Sequence, residues 1–230
     1  MSRLDDANRQ ALRRGPLLKA AVEFHASPAR YVHPERLPQL GFDDPALFSK
    51  LAGSARGERR LSELVSQRAG LPEEGFFRFA EDRVRIALLP FAVIERLFSL
   101  AAAASLRREL STLVERSSRE RIAAALGEEA RDFALKEAAV LLGPLATDHW
   151  APGPSADLAA RFRPNRSRCL EDCFAESPTA LTARLALKLP PSWDCDFSGP
   201  VPPERAEAAW TIARRLLKAK IPERGGPCFA

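Results

Sequence analysis

The chain has 230 residues and a mass of 25.3 kDa, with 46% hydrophobic and 28% charged residues and a formal net charge of +5. That length suits one globular domain, or one and a half, burying about 70% of the unfolded chain's surface, and the composition excludes disorder as the main state. The most apolar stretch, Ile86 to Ala104, is broken by Pro90, Glu95 and Arg96, so it falls short of the ~20 apolar residues of a spanning helix.

Met1 to Arg14 is charged with no apolar run behind it, which is not the pattern of a secretory signal, and the expected location is cytoplasmic. Ser2 to Ala21, interrupted at Gly15-Pro16, reads as a loose helix leading into the fold. Phe24 to Leu40 holds Pro28, Pro34 and Pro38 with Tyr31 and His33, the composition of an irregular packed segment. Asp43-Asp44-Pro45 reads as a cap followed by Pro at the first helical position, opening a short helix through Leu51. Glu58 to Ala69 follows as a helix with Leu61, Leu64 and Val65 at helical spacing, stopped by Gly70 and Pro72.

Glu81 to Leu142 carries the clearest helical signal. Pro90 starts a helix with Phe91, Ile94, Leu97 and Phe98 on one face. Thr112-x-x-Glu115 and Ser117-x-x-Glu120 both read as capping boxes. Gly127 ends a helix, and Glu128-Glu129 suit the positive N-terminus of the next one. There Ala130, Ala134, Ala138 and Leu141 form a small-residue stripe beside Phe133 and Val140, which predicts a central helix. Ala151-Pro152-Gly153-Pro154 is the best candidate boundary in the chain. Beyond it come Ser155 to Phe162, a helix over Asn165 to Ala175, and a cap-plus-Pro start at Ser177-Pro178. Leu181, Leu185 and Leu189 fit a helix, whereas Leu185, Leu187 and Leu189 fit a short strand, and periodicity alone does not separate the two. Pro190 to Pro203 is Pro-rich and holds Trp193 and Phe197. Pro203 starts the final helix, whose last turns carry Arg214, Arg215, Lys218 and Lys220.

The expected fold is therefore mainly α: an irregular helical globular fold with at most one small β-element, near Leu185 to Leu189. The expected organisation is an N-terminal lead-in over 1–23, a helical core over 24–150, and a basic C-terminal helical part over 151–230 packed on that core as one compact unit.

Chemistry-bearing patterns are few. The P-loop, dinucleotide and nucleophile-elbow signatures do not occur. Cys169-x-x-x-Cys173 would place two thiols on one helical face, with His149 or Cys195 to complete a metal site. The absence of a C-x-x-C favours four free thiols (Cys169, Cys173, Cys195, Cys228) and no metal or other cofactor. Three histidines (His25, His33, His149) offer little for acid–base work, and the paired acids Asp5-Asp6, Asp43-Asp44, Glu73-Glu74 and Glu128-Glu129 read as helix starts and loops. No catalytic residue and no small-molecule substrate are expected. Tyr31, His33 and Trp150 read as structural.

Charge is uneven. From residue 161 onward there are 12 Lys+Arg against 8 Asp+Glu, so this third carries +4 of the +5. Arg161, Arg163, Arg166 and Arg168 form the densest basic run and are the candidate partner-binding residues, with Glu171, Asp172 and Glu176 nearby to pair with them. The excess is small for a dedicated nucleic-acid binder. A helical nucleic-acid-associated protein using this Arg-rich third is the alternative reading. A small metal-dependent enzyme using Cys169, Cys173 and a His is a further one.

Three segments in order resemble one family. They are Phe24-His25-Ala26-Ser27-Pro28-Ala29-Arg30-Tyr31-Val32-His33 followed by Leu37-Pro38; Leu141-Leu142-Gly143-Pro144 followed by Thr147, His149 and Trp150; and Arg184-Leu185-Ala186-Leu187-Lys188-Leu189-Pro190 before an amphipathic basic helix. This set is similar to the SctK (YscK-like) accessory protein of bacterial type III secretion systems. The resemblance implies a non-enzymatic, mostly helical cytoplasmic adaptor of the injectisome sorting platform, peripheral at the inner-membrane base and reaching the membrane only through the ring. It implies two protein partners: the forkhead-associated-like cytoplasmic domain of the ring protein SctD, and the pod protein SctQ. It assigns no contact residue.

Overall fold

A computed structural model describes residues 15–113, 115–146 and 157–221. Helices take up 75% of these residues, and no strand occurs among them. The fold is mainly α, as the capping and proline signals predict.

In chain order, α1 (Gly15–Ala26) is followed by three single-turn 3-10 helices, Pro28–Arg30, Pro34–Arg36 and Pro38–Leu40. Each opens with proline, whose missing N–H and fixed φ suit a helix start. Helix α2 (Pro45–Ala52) is capped by Asp44, whose Oδ1 accepts from Leu47 N at 2.9 Å. Helix α3 (Ala55–Arg68) is capped by Ser54, which accepts from Gly57 N at 3.1 Å. Gly70, at φ +59°, then turns the chain through a conformation that side chains resist. The short α4 (Asp82–Arg85) and a 3-10 turn lead to α5 (Phe91–Ser105), then α6 (Arg107–Thr112), α7 (Arg116–Leu126), α8 (Glu128–Lys136) and α9 (Ala138–Leu142). Helices α10 (Leu158–Cys173), α11 (Thr179–Lys188) and α12 (Pro203–Lys220) complete the chain.

Local expectations and the structure differ in four places. The Leu185 to Leu189 segment is not a strand: Leu185 to Lys188 end α11, and Leu189 is its extended C-cap residue. Leu181, Leu185 and Leu187 are all buried, with Thr182, Arg184 and Lys188; a helix covered on several sides shows no clean period of 3.6, hence the ambiguity. The two serine/threonine–glutamate pairs are not capping boxes. Thr112 closes α6 by donating its hydroxyl to Glu109 O (2.9 Å), while Glu115 precedes α7 and accepts from Ser117 and Ser118 at 2.6 and 2.8 Å. Residues 158–173 form one helix through Pro164, although interior proline costs about 3 kcal/mol. Phe162, Asn165, Cys169, Leu170 and Cys173 all gain burial from its continuity. Finally, Glu137 breaks the helix between α8 and α9, so Ala138 and Leu142 point inward while Val140 is 89% exposed.

By packing, the chain divides into two compact units. The first contains the described residues 15–91 and 176–192; the second contains 92–146, 157–175 and 193–221, with 114 aside. The Ala151 to Pro154 segment, the candidate boundary in the sequence, lies outside the described residues.

In unit one, Ala29, Val32, Leu37, Phe48, Leu61, Val65 and Leu187 make one apolar cluster. Tyr31 stacks on Phe24 with ring centroids 5.4 Å apart, and its hydroxyl donates to Phe24 O at 2.7 Å. Burial pushes the Tyr31 phenol pKa up. His25 pairs through Nε2 with the Phe76 carbonyl, which fixes the proton on Nε2 and leaves Nδ1 as a buried acceptor without a hydrogen bond. Burial, and secondarily Arg184, pull its pKa down against the raising effect of the Phe76 bond. The backbone reaches across the chain as well: His33 N donates to Leu187 O at 2.8 Å, and Arg36 Nε to Leu189 O at 2.6 Å.

In unit two, α10 packs along α12 and against α7, while α8 meets α6 and α7. The Ala101 to Ala104 run is fully buried on α5, with Ile94, Leu97 and Phe98. Asn165 donates to the buried Ser105 hydroxyl at 3.1 Å. No helix among the described residues is long and apolar enough to cross a membrane.

Two outcomes are expected from unit one. Tyr31→Ala should lower stability by about 2–4 kcal/mol, and Tyr31→Phe by only about 1 kcal/mol, read by denaturant unfolding. Trp150, read alongside Tyr31 as structural, lies outside the described residues. The lowered His25 pKa means that the unfolded chain binds the proton more tightly than the folded one. The stability this histidine contributes is present above about pH 6.5 and is lost as pH falls toward its depressed value. His25→Gln should therefore flatten the loss of thermal stability between about pH 7.5 and 5, as measured by paired melts.

Candidate interaction surfaces

The basic run singled out in the sequence sits on α10, in unit two. Its four arginines do not share one solvent-facing surface. Arg161 is buried, and its guanidinium donates to Glu109 at 3.0 Å. Arg166 lies over the Trp193 ring at 4.1 Å and reaches Glu95 at 3.6 Å, with burial pulling its pKa down. Arg163 and Arg168 are exposed. Sequence spacing could not separate these pairs, because the groups that capture Arg161 and Arg166 come from α6, α5 and residue 193.

The second basic group divides in the same way. On α12, Arg215 donates to the Leu141 and Leu142 carbonyls at 3.2 and 3.3 Å, closing the end of α9. Lys220 pairs with Glu137 and lies 5.6 Å from the Phe133 ring. Arg214 and Lys218, one turn apart, are exposed. The buried Asp172 meets Arg205 at 2.8 Å, and Glu171 accepts from Asp196 N at 2.8 Å while also feeling the charge of Arg168.

Cys169 and Cys173 are fully buried. The Cys169 thiol is pushed well up, chiefly by burial and then by Cys173 and Asp172, conditions that oppose thiolate formation. Among the described residues no group of three or more His, Cys, Asp or Glu is arranged to hold a metal ion. His149 and Cys228 lie outside those residues. In two of the acidic pairs a carboxylate has a structural partner: Asp44 caps α2, and Glu129 holds Arg96 across 33 residues at 2.8 Å.

Unit one contains a groove of about 780 Å³ that sequence reasoning did not reach. Phe24, Tyr31, Val32, Phe48 and Phe91 give it apolar walls, and His33 meets Phe91 edge-on at 5.0 Å. Lys188 reaches it from α11, its ammonium donating to Ala87 O at 2.6 Å and Leu89 O at 3.0 Å and lying 5.0 and 5.1 Å from the Phe24 and Tyr31 rings. Arg30 sits at the rim between Glu58 (2.6 Å) and Glu23 (3.5 Å), and its hydrogen bond holds the Glu58 carboxyl below the usual range. A lysine within a leucine-rich segment was the one sequence signal for this centre.

The division among the α10 arginines has a measurable consequence. Arg161→Ala should cost about 1–3 kcal/mol, because it leaves Glu109 without a buried, charge-assisted donor. Arg163→Ala should stay within about 0.5 kcal/mol of the parent. Equilibrium unfolding of the two variants side by side checks the contrast.

Two of the three segments that carried the family resemblance meet in unit one: Phe24 to Pro38 packs with Arg184 to Pro190 through the His33–Leu187, Arg36–Leu189 and Lys188 contacts. Part of the third segment, from Thr147 to Trp150, lies outside the described residues. Comparison with curated proteins finds no match, and neither does comparison with solved structures. Residues 19–229 match the family described as YOP proteins translocation protein K (YscK). The chain belongs to that family and is a type III secretion protein.

Proposed function

We propose that this protein is a non-enzymatic adaptor of the injectisome sorting platform, working in the cytoplasm at the inner-membrane base. It links the cytoplasmic domain of the ring protein SctD to the pod protein SctQ. The observation that carries this reading is the family match across residues 19–229, almost the whole chain. The structural chemistry is in keeping with it. The buried polar groups described above hold helices together, and the remaining charge stands on surfaces.

Arg163 and Arg168 are the part of the basic run available to a partner, and the ring protein's domain is the partner assigned to them. Complementary charge speeds encounter and fixes orientation more than it tightens a complex. Single rim charges are worth about 0–1 kcal/mol, so the effect needs a double reversal.

The double variant Arg163→Glu/Arg168→Glu should keep the helical spectrum and melting temperature of the parent. It should slow association with the SctD cytoplasmic domain at low salt and leave SctQ binding unchanged, as read by biolayer interferometry. Equal association rates for parent and variant would remove these arginines from the interface. Failure of the parent chain to bind either domain would overturn the adaptor reading itself.

A further inference from the structure

Unit two holds a second concavity, of about 470 Å³, enclosed by α6, α7 and α8. Its floor is aliphatic: Leu110 and Ile122 are buried and Leu113 is half-buried. Leu135 stands on its wall and is 44% exposed, while Ala130, Phe133 and Ala134 of the same helix are buried. A single exposed leucine is ordinary on a protein surface. The charges around this one are not.

Three cations and one carboxylate line the pocket: Arg119, Arg131, Lys136 and Asp132. Asp132 accepts from Lys136 at 2.6 Å and from Arg131 at 3.1 Å, and those two bonds, Lys136 first, hold its carboxyl below the usual range. It therefore stays ionised and fixes both cations at the rim. Arg119 is held separately, its Nε donating to Leu113 O at 2.8 Å. None of the other carboxylates on these helices and beside them lines the pocket: Glu128 stands at the start of α8, Glu137 pairs with Lys220, and the rest are engaged elsewhere. Glu109 is on Arg161, Glu129 on Arg96, Glu120 on Arg116, and Glu115 on Ser117 and Ser118. The lining thus keeps an excess of two positive charges, already positioned, around an apolar floor.

We infer that this pocket docks an acidic segment of a protein partner, with one leucine-, isoleucine- or phenylalanine-type side chain entering between Leu110, Ile122 and Leu135. The volume lies within the range of about 300–1,000 Å³ typical of ligand sites. Excess positive charge on a pre-organised rim selects carboxylates, and the aliphatic floor selects an apolar anchor over a stacked base, which needs an aromatic platform. The inference uses none of the α10 arginines and goes beyond the adaptor reading without depending on it.

The test is selection of a random twelve-residue phage-displayed peptide library on the full chain, followed by fluorescence anisotropy with the recovered consensus peptide. Recovered peptides should be rich in Asp and Glu around a large apolar residue. Leu135→Asp, and separately Arg119→Glu/Lys136→Glu, should each weaken the consensus peptide at least tenfold, whereas Arg59→Glu in unit one should not. Thermal melts establish that each variant is folded, and Leu135→Ser replaces Leu135→Asp if the latter is not. Recovery of no peptide, of peptides without acidic enrichment, or of peptides that bind the variants equally well would overturn the inference. So would phosphatidylglycerol vesicles that bind the chain through these residues when peptides do not, which would make the pocket a lipid site.

Discussion

Lys188 stands in the last turn of α11 with its ammonium withdrawn from water and shared between the carbonyls of Ala87 and Leu89 and the faces of Phe24 and Tyr31. A buried ammonium is costly unless its hydrogen bonds are met, so it tolerates little displacement of the groups around it. Those groups come from α1, the 3-10 turns and the segment before α5, while the lysine itself arrives 99 to 164 residues later. The same helix end accepts from His33 and Arg36, and Arg184, one turn earlier, donates to Pro72 O at 3.0 Å. One helix from late in the chain thus closes the irregular, proline-punctuated segment that begins it.

This arrangement gives the family-like segments a physical meaning. Tyr31 and His33, structural residues in the sequence reading, are with His25 each occupied in holding backbone. His25 holds the Phe76 carbonyl, Tyr31 holds the Phe24 carbonyl, and His33 Nδ1 accepts from Glu35 N at 3.3 Å. Residues that carry family membership are here the residues that maintain the fold. Interaction surfaces have to be sought elsewhere, on side chains that the packing leaves outward.

Unit two shows how the packing makes that choice. Arginine has a long apolar stem and a charge that remains ionised, so one side chain type can serve as core filler, helix closure or surface charge. Arg166 stacks on Trp193, Arg215 closes α9, and Arg163 and Arg168 face solvent. The stretch from Arg107 to Lys136, read in the sequence mainly for its helix signals, retains a rim with more cations than carboxylates.

The sequence by itself determined the helical class, the proline- and aspartate-marked starts of α2, α5 and α12, the glycine turns at Gly70 and Gly127, the absence of a spanning segment among the described helices, and the family. These follow from local backbone chemistry and from residue order, which the chain carries without folding. Only the tertiary structure decided that Leu185 to Lys188 is helical, that α10 runs through Pro164, that two of the four α10 arginines are buried or stacked, and that α11 belongs with unit one. Each of those outcomes depends on what a residue meets across a long stretch of chain: Glu109 for Arg161, Trp193 for Arg166, the Ala87 and Leu89 carbonyls for Lys188. Periodicity and capping describe a residue's neighbours within a turn or two, and burial of charge is settled by partners that lie far outside that range.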